Sequence, residues 1–302
     1  MNLSRIGLDL AKQVFQVHGV DRHEHVVCRR QLKRAQVRDF FRQLPPCLVA
    51  MEACGSAHYW ARELRELGHS YVPVKSAEQQ AVQSVHRVRS RLVRARTALC
   101  NEVRGLLGEF GLIATRRGRA ATMALLETVT ATEPAPLPAP MGELLRELKD
   151  ELQTLEARIA RLERQIQAHV RGDARIQRLL AVDGIGPISA SAVAASAGDA
   201  RQFRTGRQFA AWLGLVPRQH STGGQQRLGN ISKRGDTYLR TLLIHGARAV
   251  VRCCANKTDA RSRWLQGLLQ RRPANVVAVA LANKNARILW ALLSRETCYR
   301  PG

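Results

Sequence analysis

Two adjacent hydroxyl residues, Ser221 and Thr222, lie in a polar stretch whose residue types could cut or join a phosphodiester. The stretch runs from Gly214 to Leu243 and reads GLVPRQHSTGGQQRLGNISKRGDTYLRTLL. An activated hydroxyl can attack an electrophile, and the pair Gly223-Gly224 lets the backbone approach a ligand closely. The alternative is a basic, glycine-rich surface loop that contacts nucleic acid without chemistry, and spacing alone favours it. Arginine forks and backbone amides suit phosphate oxygens, and four cations accompany the hydroxyls: Arg218, Arg227, Lys233 and Arg234.

Two acids near the N-terminus could hold a divalent cation. Asp9 interrupts an apolar run that alternates like a strand, and Glu52 directly ends the apolar run Cys47 to Met51. Carboxylate oxygens are suitable ligands for Mg²⁺, and metal ions are a common device for cutting phosphodiesters. Asp9 could instead be a turn acid, and Glu52 a helix cap or ion-pair partner. Taken together, the two acids favour a metal site.

The charge balance predicts a polyanionic partner. Among 302 residues there are 48 Lys and Arg against 24 Asp and Glu, a formal net charge of +24. DNA or RNA is the usual partner of so basic a chain. A membrane is disfavoured because no basic segment stands beside a long apolar span. The opening residues resemble a strand rather than a signal peptide, so we expect a cytoplasmic protein.

The first part of the chain is predicted to be an α/β domain, because strand-like and helical patterns alternate. A long helix over about 76–107 follows, with an apolar stripe of residues spaced three, four or seven apart: Val85, Val88, Leu92, Leu99, Val103 and Leu106. Arginines lie off that apolar stripe, and few acids accompany them. A solvated face is one interpretation, but phosphate contacts are favoured. The arginines concerned are Arg87, Arg91 and Arg94.

The middle of the chain contains a proline-rich boundary and then a heptad pattern. Residues 113–141 include four prolines at alternate positions and are predicted to be an extended linker. In 142–172, leucine and isoleucine recur every three and four residues from Leu145 to Ile166. This is the pattern of a coiled coil. It could be one arm of an antiparallel helical pair, but oligomerisation through this coiled coil is the favoured interpretation.

The C-terminal part, 173–302, is predicted to be almost entirely helical. Its sequence LLAVDGIGPISA places Gly184 and Gly186 between two helices, as in a helix-hairpin-helix. The glycines would let backbone amides at the second helix N-terminus face a phosphate. The alternative is a plain helical hairpin whose glycines permit close packing.

These stretches together resemble the transposases of insertion-sequence family 110, and within it the 1111 subgroup. The resemblance rests on IGLDLAK, AMEACGSAHYWARELRELGH, VKSAEQQAVQS with the arginine-rich helix, LLAVDGIGPISA and FAAWLGLVPRQHSTGGQQRLGNISKRGDTYLRTLLIHGARAV. It implies a RuvC-type, ribonuclease-H-like N-terminal domain with four acids that hold Mg²⁺. It also implies a serine in the C-terminal domain that attacks the DNA backbone covalently. Oligomers and a structured guide RNA from the element are further implications.

The chain departs from the family pattern at two places. Family members normally carry a few dozen residues, with the third and fourth acids, between a helix like the one ending near Gly68 and the VPVKS segment. Here no aspartate occurs between Asp39 and Asp150. The family serine falls at Thr222, whose extra methyl restricts its side chain, with Ser221 next to it.

The resulting hypothesis is a transposase with an internal deletion and impaired catalysis. Its expected parts are an incomplete RuvC-like domain at 1–112, the linker, the coiled coil and the helical transposase domain. Asp9 and Glu52 would bind Mg²⁺, and Ser221 or Thr222 would supply the nucleophile. The alternative is a non-catalytic, nucleic-acid-binding remnant of a transposase. A nuclease that uses only the N-terminal acids is the weakest option.

Overall fold

The protein is described from a computed structural model that covers residues 3–52, 54–70, 75–114, 116, 118–132, 137–220, 225 and 227–300. The chain divides into two compact units. The first contains Met1–Gln80 with Ser196–Gln202, and the second contains Ala81–Ala195 with Phe203–Gly302.

The first unit is built on a four-stranded mixed sheet. Its strands are β1 (Arg5–Leu10), β2 (Val14–Val20), β3 (Val26–Lys33) and β4 (Leu48–Met51), in the spatial order β3-β2-β1-β4. Strand β2 is antiparallel to both β1 and β3, whereas β1 and β4 are parallel. A parallel neighbour requires a crossover connection, and helix α1 (Val37–Arg42) lies in it. The predicted α/β character of this region is confirmed.

One face of this sheet is buried and the other is exposed along β1. Residues Ile6, Leu8 and Leu10 are buried, and the residues between them are exposed, as strand alternation requires. Helix α2 (Ala57–Glu66) supplies Trp60, whose ring meets that of Phe15 edge-on at 5.1 Å. The sheet therefore has a covered apolar face and, along β1, an open polar one.

The second unit begins with three helices that share one core. They are α3 (Ala77–Glu109), α4 (Arg119–Ala131) and α5 (Ala139–Gly172). Arg89, in the first half of α3, donates to Glu163, in the second half of α5, at 2.9 Å, as expected of an antiparallel pair. Their shared core contains Leu99, Val103 and Leu107 of α3, Leu126 of α4, and Leu145, Leu152 and Leu155 of α5.

This core corrects the favoured interpretation of the heptad pattern. The helix over 142–172 is present, but its seam is buried against α3 and α4 of the same chain. Leu145 and Leu152 are fully buried without a second copy. The seam is thus satisfied internally, and the helical-pair alternative describes it. Periodicity specifies an apolar stripe, but it does not specify which surface covers that stripe.

The predicted linker also needs correction, because 113–141 contains helix α4. Its residues Leu126 and Val129 are buried in the core shared with α3 and α5. Pro138 directly precedes α5 and Pro140 lies in its first turn, a position that tolerates proline. Residues 133–136, with the other two prolines, lie outside the described part of the chain.

The described residues in the rest of the second unit form six further helices, in line with the predicted, almost entirely helical C-terminal part: α6 (Ala174–Leu179), α7 (Pro187–Ala197), α8 (Gly206–Trp212), α9 (Thr237–Arg252), α10 (Ala260–Leu269) and α11 (Ala274–Arg295). Helix α11 packs against α9 and α8 and forms the centre of this part. It is the one helix of the described chain that is long and apolar enough to cross a membrane, yet Asn285 in its middle is fully buried and donates to the Asp183 carbonyl oxygen at 2.9 Å. These contacts identify α11 as a core helix.

Candidate functional site

The residues on either side of the two hydroxyls form an antiparallel strand pair, a β-hairpin that the sequence pattern did not predict. Strands β5 (Pro217–Gln219) and β6 (Leu228–Ile231) are antiparallel. The His220 amide donates to the Arg227 carbonyl oxygen at 2.9 Å, and this bond continues the hairpin toward its tip. Ser221 and Thr222 follow and lie outside the described residues, as do 223, 224 and 226.

The four predicted phosphate-binding cations belong to this hairpin and its base. All four side chains are exposed. Within the described part of the chain, no acid forms an ion pair with Arg218, Lys233 or Arg234. Arg218 does donate to the Ser232 carbonyl oxygen across the hairpin, at 3.4 Å. Exposed cations without neutralising acids attract phosphate groups.

The base of the hairpin is held by direct contact between two backbone segments. Gly214 has φ +71°, and a Cβ there would lie 1.9 Å from the Arg234 carbonyl oxygen. Gly235 has φ +89°, and a Cβ there would lie 1.9 Å from the Trp212 carbonyl oxygen. Both positions therefore require glycine for conformation and for space.

Arg240 reinforces the same base from inside α9. Its side chain is buried, and Nη1 donates to the carbonyl oxygens of Leu213 at 3.1 Å and Arg234 at 3.3 Å. Nη2 donates to Thr237 Oγ1 at 3.1 Å. Asp236 caps α9 by accepting from the amides of Tyr238 and Leu239. The start of α9 and both ends of the hairpin thus form one bonded unit.

Replacing Arg240 by methionine is expected to loosen the hairpin base and lower the free energy of unfolding by about 2 kcal/mol, because buried carbonyl oxygens lose their donors. Hydrogen exchange measured by mass spectrometry should show faster exchange over 228–235. Arg248→Met, at an exposed position of the same helix, is the matched control. Unchanged exchange over 228–235 in Arg240→Met would show that the hydrogen bonds of Arg240 do not stabilise the hairpin base.

A buried histidine joins three helices near this base. His86 of α3 has Nδ1 at 3.1 Å from the Tyr238 hydroxyl of α9 and Nε2 at 3.1 Å from Ser191 Oγ of α7. Burial, together with the nearby positive charges of Arg89 and His169, lowers the pKa of His86 from 6.5 to about 4. The neutral ring donates to one hydroxyl and accepts from the other.

The sequence pattern did not predict the burial of His86 or of Arg240, for different reasons. The predicted stripe of α3 placed Val88 inward, but that side chain is 39% exposed and His86 is buried instead. His86 precedes the buried residues Cys100 and Leu107 by multiples of seven, so the heptad spacing of α3 could have identified it. Arg240 offered no signal, because an arginine in a basic helix is normally a surface residue.

The arginines of α3 lie where the sequence predicted. Arg87, Arg91 and Arg94 are exposed. Their binding to phosphate stays a prediction, as does that of the hairpin cations.

The predicted helix-hairpin-helix corresponds to α6, a turn and α7, and its first glycine has a clear packing role. Gly184 has φ +84°, and a Cβ there would lie 2.8 Å from the Gly246 carbonyl oxygen in α9. No heavy atom of the described chain would lie within 4 Å of a Cβ added at Gly186. The close-packing alternative thus explains Gly184, and phosphate binding by either glycine stays a prediction.

Asp9 lies on the exposed face of β1, and Glu52 directly follows the last residue of β4. In the parallel pairing of β1 with β4, Gly7 is opposite Ala50 and Leu8 is opposite Met51. The pairing ends there, and one further step of the same register would bring Asp9 next to Glu52. Both residues are exposed. Among the described residues, no group of three or more His, Cys, Asp or Glu is arranged to hold a metal ion.

The chain belongs to the transposases, and comparisons place it in the IS110/IS116/IS902 family. The family model described as "Transposase IS116/IS110/IS902 family" matches residues 176–263, which include α7 to α9 and the hairpin. The chain is 88% identical over 338 aligned positions to a "Probable family 20 transposase" of Pseudomonas aeruginosa, with 100% of both chains covered. It is therefore a transposase of an insertion sequence.

More distant relatives carry the same description. The chain is 40% identical to the transposase for insertion sequence element IS1111A of Coxiella burnetii, over 98% of this chain and 91% of that one. It is 36% identical to the transposase for insertion sequence element IS1328 of Yersinia enterocolitica, over 99% of each chain.

Proposed function

We propose that the chain binds DNA through the hairpin cations and through Arg87, Arg91 and Arg94 of α3, and that its family chemistry proceeds through the hydroxyl of Ser221 or Thr222, in the segment that connects the hairpin strands along the chain. The observation that carries this proposal is the hairpin itself. Glycine contacts and Arg240 fix its base, exposed cations surround it, and the segment with Ser221 and Thr222 joins its strands. A nucleophile on a fixed scaffold is what strand transfer requires.

In the proposed reaction, the hydroxyl oxygen forms a bond to phosphorus as a bond to a bridging sugar oxygen breaks. The hydroxyl proton leaves, and the departing sugar oxygen takes up a proton. Arg218, Arg227, Lys233 and Arg234 would hold the phosphate and stabilise the charge that develops on it. The covalent link is later resolved when a sugar hydroxyl attacks the same phosphorus, which restores the side chain.

Mg²⁺ fits the donor chemistry of the exposed pair Asp9 and Glu52 but not a complete site. Two carboxylates offer the hard oxygen ligands that this ion prefers. When bound, the ion would supply positive charge to a phosphate. With two carboxylates rather than four, we propose that binding is weak.

We infer that an internal deletion accounts for the shortage of acids. The alignment with the Pseudomonas aeruginosa relative spans 338 positions, whereas this chain has 302 residues, so at least 36 positions have no residue here. The predicted gap lies between the helix that ends near Gly68 and the segment VPVKS at 72–76. Ser70 pairs with the outer edge of β4, where the Val49 amide donates to its carbonyl oxygen at 2.8 Å. A further strand could start there, which supports an incomplete RuvC-like domain.

The missing acids favour a second candidate function, a non-catalytic remnant that still binds nucleic acid. Such a protein would compete with intact copies for element ends. A structured guide RNA as partner, and a cytoplasmic location, belong to both proposals.

The distinguishing experiment compares three proteins: this chain, the Pseudomonas aeruginosa relative, and a chimera of this chain that carries the relative's residues at the gap. Each is incubated with oligonucleotides of the element ends, with and without Mg²⁺, and covalent protein–DNA product is measured on denaturing gels. We expect at least about 100-fold less product from this chain than from the chimera, because one lost catalytic group typically costs that much. DNA binding should remain salt-dependent in all three.

Single variants of the chimera then assign the nucleophile. Thr222→Ala should abolish the product and Ser221→Ala should retain it, and Thr222→Ser should raise the yield. If this chain formed as much covalent protein–DNA product as the chimera, the proposed impairment of its catalysis would be contradicted. Product that survives Ser221→Ala/Thr222→Ala would exclude the hairpin hydroxyls.

A further inference from the structure

An open cavity in the second unit combines indole rings with cations. Its volume is about 710 Å³, within the usual size range of ligand pockets. The start of α8, Trp264 of α10 and the middle of α11 line it. None of the sequence motifs described above includes Trp264 or the lining residues of α11.

The charge of this cavity suits an anion. Its charged lining residues are Arg207, Lys284 and Arg287, and every other described residue that lines it is neutral. All three cations are exposed, and none forms an ion pair with an acid in the described ranges. Three unneutralised cations around one opening create a local positive potential.

The aromatic rings make the cavity more specific than a simple phosphate site. Trp264 is half-buried, and Lys284 Nζ lies 4.5 Å from its ring centroid. Trp290 is held in place because its Nε1 donates to the Phe203 carbonyl oxygen at 3.1 Å. Indole rings stack on nucleobases of any sequence. An aromatic platform beside cations matches a base and its phosphate together.

Close packing gives the cavity a firm floor next to the hairpin. A Cβ at Gly206 would lie 3.1 Å from backbone atoms of Arg287 and from Trp290 Cε3, so α8 starts directly on α11. Asn283, which lines the cavity, donates to the Leu215 carbonyl oxygen at 3.1 Å. Leu215 stands two residues before β5, so the cavity and the hairpin base share a bonded support.

We propose that this cavity binds one unpaired nucleotide of single-stranded nucleic acid. The base stacks against Trp264, and Arg207 and Arg287 bind its phosphate. Stacking on Trp264 displaces the Lys284 ammonium from the ring toward the same phosphate. A duplex cannot enter in this way, because its bases are stacked and paired. The proposal rests on the nucleic-acid binding proposed above, but it requires no strand cleavage.

The test measures the affinity of the full-length chain for a fluorescent eight-nucleotide DNA, the RNA of the same sequence, and the DNA duplex. Trp264→Leu should weaken single-strand binding about 10-fold, in keeping with the loss of one stacked base. Duplex binding should change less than about 2-fold. Trp264→Phe, which keeps an aromatic face, should restore most of the affinity.

The phosphate contacts are tested separately by Arg207→Gln/Arg287→Gln. The slope of log affinity against log salt should fall by about 0.7 for the single strand, as expected when the contact to one phosphate is lost. The exposed Arg248→Gln is the control. Equal losses on duplex and single strand, or Trp264→Leu binding as well as wild type, would overturn the proposal. A weaker effect with DNA than with RNA would identify RNA as the source of the nucleotide, and the reverse would identify DNA.

This outcome is independent of the covalent-product assay. A chain that forms no covalent product can still show the Trp264 effect. If the chain bound neither the eight-nucleotide strands nor the duplex, both the nucleotide site and the proposed nucleic-acid binding would fail together. If duplex binding persisted without the Trp264 effect, only the nucleotide site would fail.

Discussion

Replacing Gly246 by alanine should lower the free energy of unfolding by about 3 kcal/mol or more, although alanine is the better helix former. A Cβ at this position of α9 would lie 1.8 Å from the Gly184 carbonyl oxygen. The neighbouring atom is a backbone atom rather than the end of a flexible side chain, and φ at Gly184 is +84°. The turn before α7 therefore cannot shift without a large cost in free energy. Overpacking of this kind typically costs 1–3 kcal/mol and sometimes more.

Gly105→Ala is the matched control, because it makes the same change inside helix α3. No heavy atom lies within 4 Å of a Cβ added there, within the described part of the chain. The intrinsic preference for alanine should then act alone and raise the free energy of unfolding by about 0.5–1 kcal/mol. Urea denaturation of the three proteins compares the effects. Gly246→Ala at or above wild-type stability would show that the two backbones separate readily.

The local structure of this chain could largely be predicted from sequence, because it depends on short-range patterns. Alternation from Ile6 to Leu10 identified β1, and the three- and four-residue spacing from Leu145 to Ile166 identified α5. Both patterns reflect which side of an element is buried, and that information is carried by neighbouring residues.

Tertiary partners were much harder to predict. The seam of α5 suggested a second copy, whereas α3 and α4 of the same chain cover it. Helix α4 was missed because proline and threonine around it weakened its pattern, while its burial comes from distant leucines. Long-range contacts decide such cases, and no window of sequence contains them.

The candidate site shows the same division. Hydroxyls, cations and acids could be named from their types, but the hairpin and its support could not be predicted. Gly214 and Gly235 are recognised as essential only when the opposing carbonyl oxygens are seen. Asp9 and Glu52 could be paired only through the strand register.

Acidification should destabilise the second unit through His86, and His86→Gln should remove that effect. Above about pH 6.5 the histidine is neutral in both the folded and unfolded chain. Between pH 6.5 and about 4 the histidine is protonated in the unfolded chain but neutral in the folded chain, because folding lowers the pKa of His86 to about 4. The unfolded state then binds more protons, so stability falls as pH falls. The full effect, about 2.5 pKa units, corresponds to about 3 kcal/mol.

The surroundings of His86 explain why its ring stays neutral in the folded chain. The ring is 3% exposed, and Arg89 and His169 face it from α3 and α5 as further positive groups. A protonated ring would also need acceptors at both nitrogens, where the hydroxyls of Tyr238 and Ser191 lie. Those hydroxyls can accept, but they do not offset the loss of water around a buried charge.

Urea denaturation at several pH values between 7.5 and 4 measures this effect. The difference in stability between His86→Gln and wild type should rise by about 3 kcal/mol in favour of the variant as the pH falls. His245→Gln, at an exposed position of α9, corrects for the loss of an imidazole in general. Because Tyr238 follows the Asp236 cap, the protection of amides over 228–235, corrected for the slower intrinsic exchange at low pH, should also fall in the wild type on acidification. A constant difference between the two proteins across this range would show that His86 accepts a proton in place, and that α3, α7 and α9 tolerate a charge at their junction.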